Sequence, residues 1–208
     1  MYLVRLPYII RKLFPSVTWD LRTEDPILYL TFDDGPIPEV TPWVLDLLKQ
    51  YDAKATFFCV GENVERNPAL FERLIAEGHS VGNHTYSHLN GWKTPTSLYL
   101  DNIRRCSAIR SNLFRPPYGR MKMSQYRKLL AEGFRVVMWD VLSADFDKAV
   151  TGQKCVENVL THARSGSVIV FHDSLKASER LFYSLPRVLE HYSLQKYSFR
   201  AIPLSERL

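Results

Sequence analysis

The chain of 208 residues contains no apolar run long enough to cross a bilayer as a helix. It also lacks any run of lysine and arginine of the kind that follows a nucleic-acid backbone, so nucleic acid is not an expected partner. Cysteine is scarce. Cys59, Cys106 and Cys155 are odd in number, far apart and set in apolar or helical contexts. That argues against a disulfide framework and for buried free thiols, which tilts the expectation towards a reducing compartment. Repeats, low-complexity stretches and linker-like compositions are missing too. One domain spanning 1–208 is therefore expected, large enough for a substantial core.

Lysine and arginine exceed aspartate and glutamate by 27 − 22 = 5. This mild excess suits an anionic surface such as cell-wall polymer or lipid, and serves solubility equally well. The first stretch, MYLVRLPYIIRKLFPSV, mixes apolar and basic residues. Arg5, Pro7, Arg11 and Lys12 interrupt it too early for a signal-peptide core. Residues 1–26 are expected to pack on or beside the domain, with a helix lying on a membrane surface as the alternative. A cytoplasmic or membrane-peripheral location follows as the expectation, or an exported one if the chain is a mature form. No protein partner is evident.

Short apolar runs read as buried strands: ILYLTF (27–32), KATFFCV (54–60), HSVGNH (79–84), FRVVMW (134–139), SVIVFH (167–172) and YSFRAI (197–202), with NLFR (112–115) a weaker seventh. Amphipathic stretches of helical length lie between them. PEVTPWVLDLLKQY puts Val40, Val44, Leu47 and Leu48 on one side, and Gly78, Gly133 and Gly166 stand where helices should stop. Alternating strands and helices predict a parallel sheet with helices outside. Seven units predict an α/β fold, a seven-stranded (β/α) barrel, complete or irregular.

In parallel barrels the chemistry lies at the C-terminal ends of the strands. Those ends deliver Asp33 and Asp34, then His84 with His88, then Arg115 and PPYG. The fifth gives Trp139, Asp140 and, in its loop, Asp145; the sixth gives His172 and Asp173. An Asp-Asp-Gly-Pro sequence alone is an ordinary turn, and two histidines four apart are ambiguous. Converging on one rim, Asp34, His84 and His88 form a set that suits a catalytic zinc with one position open. No glutamate follows the first histidine as it does in HExxH sites, so the base must come from elsewhere, and Asp33 is the candidate. Tyr118, Trp139 and, more weakly, Trp92 are candidates for stacking on a ligand's face, although core packing is the commoner use of such residues. His79, His162 and His191 read as surface residues.

TFDDGP, HTYSH, RPPYG and IVFHD, in this order, resemble the NodB-homology polysaccharide deacetylases, carbohydrate esterase family four. The similarity runs from about Leu28 to Pro203. It implies a distorted barrel, one divalent metal ion (zinc before cobalt or nickel), and hydrolysis of an N-acetyl, sometimes O-acetyl, group on a sugar polymer or oligomer. Carried over by position, it makes Asp33 the base, and Asp34, His84 and His88 the metal ligands. Arg115 becomes the arginine that holds the base, and Tyr118 the residue whose backbone N–H binds the oxyanion. His172 becomes the general acid and Asp145 the aspartate that orients it. The sequence departs from the family in LSADF, where Leu142 and Phe146 replace an aspartate and a tryptophan, and at Val170, which replaces a leucine. The first departure leaves Asp140 as a rival partner for His172.

Three functions compete at this point. One is a metal-dependent sugar N-deacetylase. Another is the same apparatus on a different amide, such as a formyl group or a cyclic imide. The third is a carbohydrate-binding relic without turnover. The filled positions for base, acid and arginine favour the first.

Overall fold

The computed structural model describes residues 3–5 and 7–204, and only the backbone of Tyr8 and Ile10. Residues 1, 2 and 6 of the N-terminal segment lie outside the described residues. The strands are β1 (Ile27–Asp33), β2 (Thr56–Cys59), β3 (Ser80–Asn83), β4 (Leu113–Phe114), β5 (Arg135–Val136), β6 (Val141–Leu142), β7 (Val168–His172) and β8 (Ser198–Phe199). The helices are α1 (Tyr8–Lys12), α2 (Thr41–Gln50), α3 (Gly61–Arg66), α4 (Pro68–Ala76), α5 (Thr96–Arg104), α6 (Met123–Ala131), α7 (Gly152–His162) and α8 (Ser178–Leu194).

All strand pairs are parallel, in the order β5-β4-β3-β2-β1-β7-β6, with β8 against the start of β1. The two ends of this path, β5 and β6, follow each other directly in the chain. β5 pairs with β4 and β6 with β7. The stretch 135–142 thus crosses from one sheet edge to the other, and the result is the expected irregular barrel. The run FRVVMW predicted one strand; the extended backbone instead breaks at 137–140 and resumes as a strand the sequence did not reveal. N-terminal residues occupy the break. Thr18 bridges Val137, Asp20 bridges Ser167, and the Leu142 N–H donates to the Val4 carbonyl.

The central strand β1 is buried along its whole length, as expected of a parallel strand covered on both faces. Period-two alternation sorts its side chains. Leu28, Leu30 and Phe32 join the outer layer with Val44, Leu48, Leu185 and Leu189 of α2 and α8. Ile27 and Tyr29 face inward with Phe58, Leu113, Val137 and Val168. The next two inward residues are Thr31 and Asp33, so the barrel interior changes from apolar to polar towards the strand ends.

Two sequence expectations need correction here. Gly133 follows α6 in the left-handed region (φ 81°), as a helix stop should, but α7 ends at His162 and Gly166 (φ 82°) belongs to a separate turn. His79 is not a surface residue: it is buried, and its Nδ1 accepts the Ala55 N–H at 3.1 Å. Burial pushes its pKa down to about 4. His162 and His191 are half-buried. All three cysteines are free and buried, as expected.

Candidate active site

The strand ends bring Asp33, Asp34, His84, His88, Arg115, Asp145 and His172 to one rim. Arg115, just after β4, is fully buried. Its guanidinium donates to Asp33 Oδ1 at 2.7 Å, to Thr31 Oγ1 at 2.8 Å, and to the carbonyls of Val137 and Met138 at 3.2 and 2.9 Å. Asp33 is therefore fixed through one oxygen by a bidentate-capable cation that is itself locked in place.

A straight strand would send Asp34 to the face opposite Asp33. Its backbone instead turns into the left-handed region, φ 86°, which an aspartate tolerates better than most residues. That turn swings the carboxylate onto the rim beside its neighbour. Asn63 Nδ2 donates to the Asp34 carbonyl at 2.7 Å and holds the turn from α3. On the other side, the Gly35 N–H donates to Asp173 Oδ1 at 3.0 Å. A Cβ on Gly35 would lie 2.0 Å from Asp173 Oδ2, so the buried carboxylate fits only against glycine. Thr41 Oγ1 donates to the same carboxylate at 2.6 Å. Asp173 is thus a clamp on the Asp34 turn that sequence reasoning brought to the rim but gave no role. Its signal was present in the HD pair at the end of β7.

Asp34 Oδ1 lies 3.2 Å from His88 Nε2 and 3.8 Å from His84 Nε2. One ligand atom from each of the three residues falls within 4.8 Å of the others. His84 Nδ1 is 2.8 Å from the Arg115 carbonyl oxygen. A carbonyl can only accept, so Nδ1 carries the proton and Nε2 keeps its lone pair towards the cluster. Burial pushes the His84 pKa down to about 4, which leaves the ring neutral, the form that ligates. Burial would raise the Asp34 carboxyl, but the His88 hydrogen bond and the charge of His172 outweigh it and hold the group below the ordinary carboxylate range. Two imidazoles and one carboxylate, converging with a hydrogen-bonded outer shell, fit a divalent cation such as zinc.

His172 ends β7. Its Nδ1 is 2.7 Å from Asp145 Oδ1, and its backbone N–H donates to Asp145 Oδ2 at 2.8 Å. Burial disfavours the imidazolium, but the Asp145 carboxylate more than compensates and raises the His172 pKa to about 9. Phe146 packs edge-on against the ring, 5.1 Å between centroids. Asp145 comes from the loop after β6 rather than from the end of β5.

Asp140 is not on the rim. Its N–H donates to the Val168 carbonyl, its carboxylate accepts from Ser167 Oγ at 2.6 Å, and it pairs with Arg5 and Arg11. It sits beside the start of β7, four residues before His172, which is about 13 Å along a strand. The missed strand β6 caused the error: Asp140 precedes a strand instead of ending one.

Tyr118 (φ 61°) is exposed, and its ring stands edge-on to His88 at 4.7 Å. Trp92 is 59% exposed, its Nε1 donating to the Met121 carbonyl, with the Arg120 guanidinium 5.0 Å from its ring. Trp139 is half-buried, with the edge of its ring against Gly119.

The profile described as polysaccharide deacetylase matches residues 20–137, more than half of the chain. The chain belongs to the polysaccharide deacetylase family. Among its relatives is a peptidoglycan-N-acetylglucosamine deacetylase from Bacillus cereus, 34% identical over 199 residues that cover 92% of each protein. A chitooligosaccharide deacetylase from Bradyrhizobium is 35% identical over 160 residues, 73% of each. This chain also spans 55% of a second, longer Bacillus cereus relative of the first name. The crystal structure of a peptidoglycan N-acetylglucosamine deacetylase in complex with a naphthalenyl N-oxidanyl-benzamide superposes with a TM-score of 0.86 at 31% identity, covering 95% of both chains. As a polysaccharide deacetylase the protein is a hydrolase of carbon–nitrogen bonds other than peptide bonds.

Proposed function

We propose that this rim removes N-acetyl groups from an amino-sugar polymer or oligomer of peptidoglycan or chitin type. One observation carries the reading. Two proton-handling groups, Asp33 held by Arg115 and His172 paired with Asp145, are register partners on β1 and β7 and share one rim with the Asp34–His84–His88 cluster. The names of the relatives, peptidoglycan and chitooligosaccharide deacetylases, support the substrate class.

A divalent cation held by Asp34, His84 and His88, zinc first, would supply Lewis acidity at the acetamide carbonyl and the attacking water. Asp33 takes the water's proton through its carboxylate, held in position by Arg115. The backbone N–H of Tyr118 holds the carbonyl oxygen as charge gathers on it, a contribution of about 3 kcal/mol for a well-placed donor. His172 presents Nε2 to the leaving amine and gives up its proton, with Asp145 fixing Nδ1–H and stabilising the imidazolium. Two separate groups therefore handle the two proton transfers, as cleavage of a stable amide requires. The rim is not built for glycosidic cleavage, which needs two carboxyls facing each other across the bond.

Mass spectrometry of a treated N-acetylglucosamine oligomer tests this. The expected result is loss of acetyl mass at constant chain length. Shortened chains would overturn it, and so would turnover confined to a formyl amide or a cyclic imide.

A further inference from the structure

The barrel end opposite the rim holds a cavity of about 960 Å³. Arg5, Arg11, Lys12, Arg22 and Arg164 line it, with Asp20 the one acidic residue among the described residues of the lining. Arg11 pairs with Asp20 and with the buried Asp140, and Arg5 also reaches Asp140. Glu24 and Asp25, next along the chain from Arg22, do not line the cavity. Arg22 and Arg164 are exposed at its edge.

Beside the cavity, the same N-terminal segment exposes apolar side chains. Leu3 is 49% exposed, Ile9 75% and Leu13 71%. Ile9 and Leu13 are one helical turn apart, so they share a face at α1. Arg11, between them in sequence, points the other way and is buried against Asp140. An apolar edge flanked by cations is the pattern of a segment lying on an anionic lipid surface. A soluble phosphate would account for the cations but gives no reason for Ile9 and Leu13 to stand in solvent.

We propose that this end of the barrel docks on an anionic bilayer. Ile9, Leu13 and Leu3 enter the headgroup region, and Arg22 and Arg164 meet the lipid phosphates. The docked orientation follows from the strand direction. Ser167, at the start of β7, bridges Asp20 of the cavity wall, whereas His172 ends the same strand. Five residues of strand separate them, roughly 17 Å. Docking by this end therefore turns the catalytic rim away from the bilayer, towards a polymer strand in the surrounding phase and not towards a sugar carried at the headgroups. The proposal is independent of which acetylated sugar the rim accepts.

Flotation of the full chain with phosphatidylcholine vesicles, alone or with a quarter phosphatidylglycerol, tests it. Binding is expected to the anionic vesicles and to weaken in 0.5 M salt through screening. Each basic residue near the surface is worth about fivefold in partitioning, so Arg22→Ser with Arg164→Ser should lower binding about 25-fold. Ile9→Ser with Leu13→Ser should lower it by tenfold or more. Both double variants should keep the thermal unfolding midpoint and the turnover of a soluble oligomer. Equal binding to neutral and anionic vesicles, or binding unmoved by the arginine pair, would overturn the proposal. Release from anionic vesicles by millimolar glycerol 3-phosphate would overturn it in favour of a soluble phosphate ligand.

Discussion

Replacing Asp145 by asparagine should change how the enzyme responds to pH more than how it works at its best pH. The Asp145 carboxylate holds His172 Nδ1–H at 2.7 Å and raises the ring's pKa from 6.5 to about 9. That corresponds to stabilisation of the imidazolium on the order of 3 kcal/mol. A raised histidine is protonated below its ordinary value and loses the proton as pH rises through the raised one. The acid is therefore available in the wild type up to about pH 9. In the variant its pKa should fall back towards 6.5. At pH 8 the protonated fraction then drops from about nine-tenths to about 3%, roughly a 30-fold loss of acid, while at pH 6 the fraction falls by only about a quarter. Initial rates of acetate release on one oligomer, measured from pH 5.5 to 9.5, should show the alkaline limb moving to lower pH. The variant's deficit should grow about 20-fold between pH 6 and pH 8. A deficit of constant size across that range would show that Asp145 only orients the ring, and an unmoved limb would refute the pairing. Asp140→Asn, remote from the rim, should leave the limb where it is.

Elemental analysis of the purified protein should find close to one divalent ion per chain, and His84→Ala should lose it; full occupancy in that variant would refute the ligand set. The adjacent aspartates should separate: Asp34→Asn weakens metal retention, whereas Asp33→Asn keeps the metal and loses at least ~100-fold in turnover. Arg115→Met leaves the buried Asp33 carboxylate without its cation, a loss of about 3–5 kcal/mol. For a chain of this size that should lower Tm by roughly 10 °C in a thermal melt. An unchanged midpoint would mean that water replaces the guanidinium without cost.

The sequence carried the site further than it carried the barrel. Asp33, Asp34, His84, His88, Arg115 and His172 follow apolar runs directly, so the rule that chemistry sits at parallel strand ends found them without any distance information. The rule failed where its premise did. Val141 and Leu142 form a strand of two residues, too short for a period-two pattern to register, and Asp140 was consequently placed at the wrong end of the barrel. Asp145 was recognisable only by resemblance, and the altered residues around it, Leu142 and Phe146, blurred that signal. Asp173 was visible but uninterpretable. Its partners, the Gly35 N–H and Thr41 hydroxyl, lie 138 and 132 residues away in sequence, and no local pattern announces a backbone N–H as a partner. His79 shows the same limit. A histidine at a strand start reads as surface until the packing of Phe57 against its ring is known.

Backbone strain and chemistry share the same residues. Among the described residues, seven non-glycine positions have positive φ, and Asp34, Thr85, His88, Tyr118 and Ala144 are five of them. Four lie in the motif segments that build the rim, and Ala144 precedes Asp145. Each such residue costs on the order of 1–3 kcal/mol, so the five together approach the whole net stability of a typical domain. Specific hydrogen bonds offset that cost. Asn63 and Asp173 hold the two sides of the Asp34 turn. Asn83 Oδ1 accepts the Thr85 N–H at 2.8 Å, and Thr85 Oγ1 accepts the Leu89 N–H at 3.0 Å, so the strained pair Thr85 and His88 lies between two tethers. The strain has a geometric purpose. Regular strand backbone sends successive side chains to opposite faces, and the rim needs Asp33 and Asp34 together. Glycine would relieve positive φ at Asp34 or His88, but it would remove the carboxylate or imidazole that the turn exists to aim. Strain and ligand set therefore cannot be separated by substitution at these positions. The bonds from Asn63, Asp173 and Asn83, none of which belongs to the proposed reacting set, are what allow the chain to keep both.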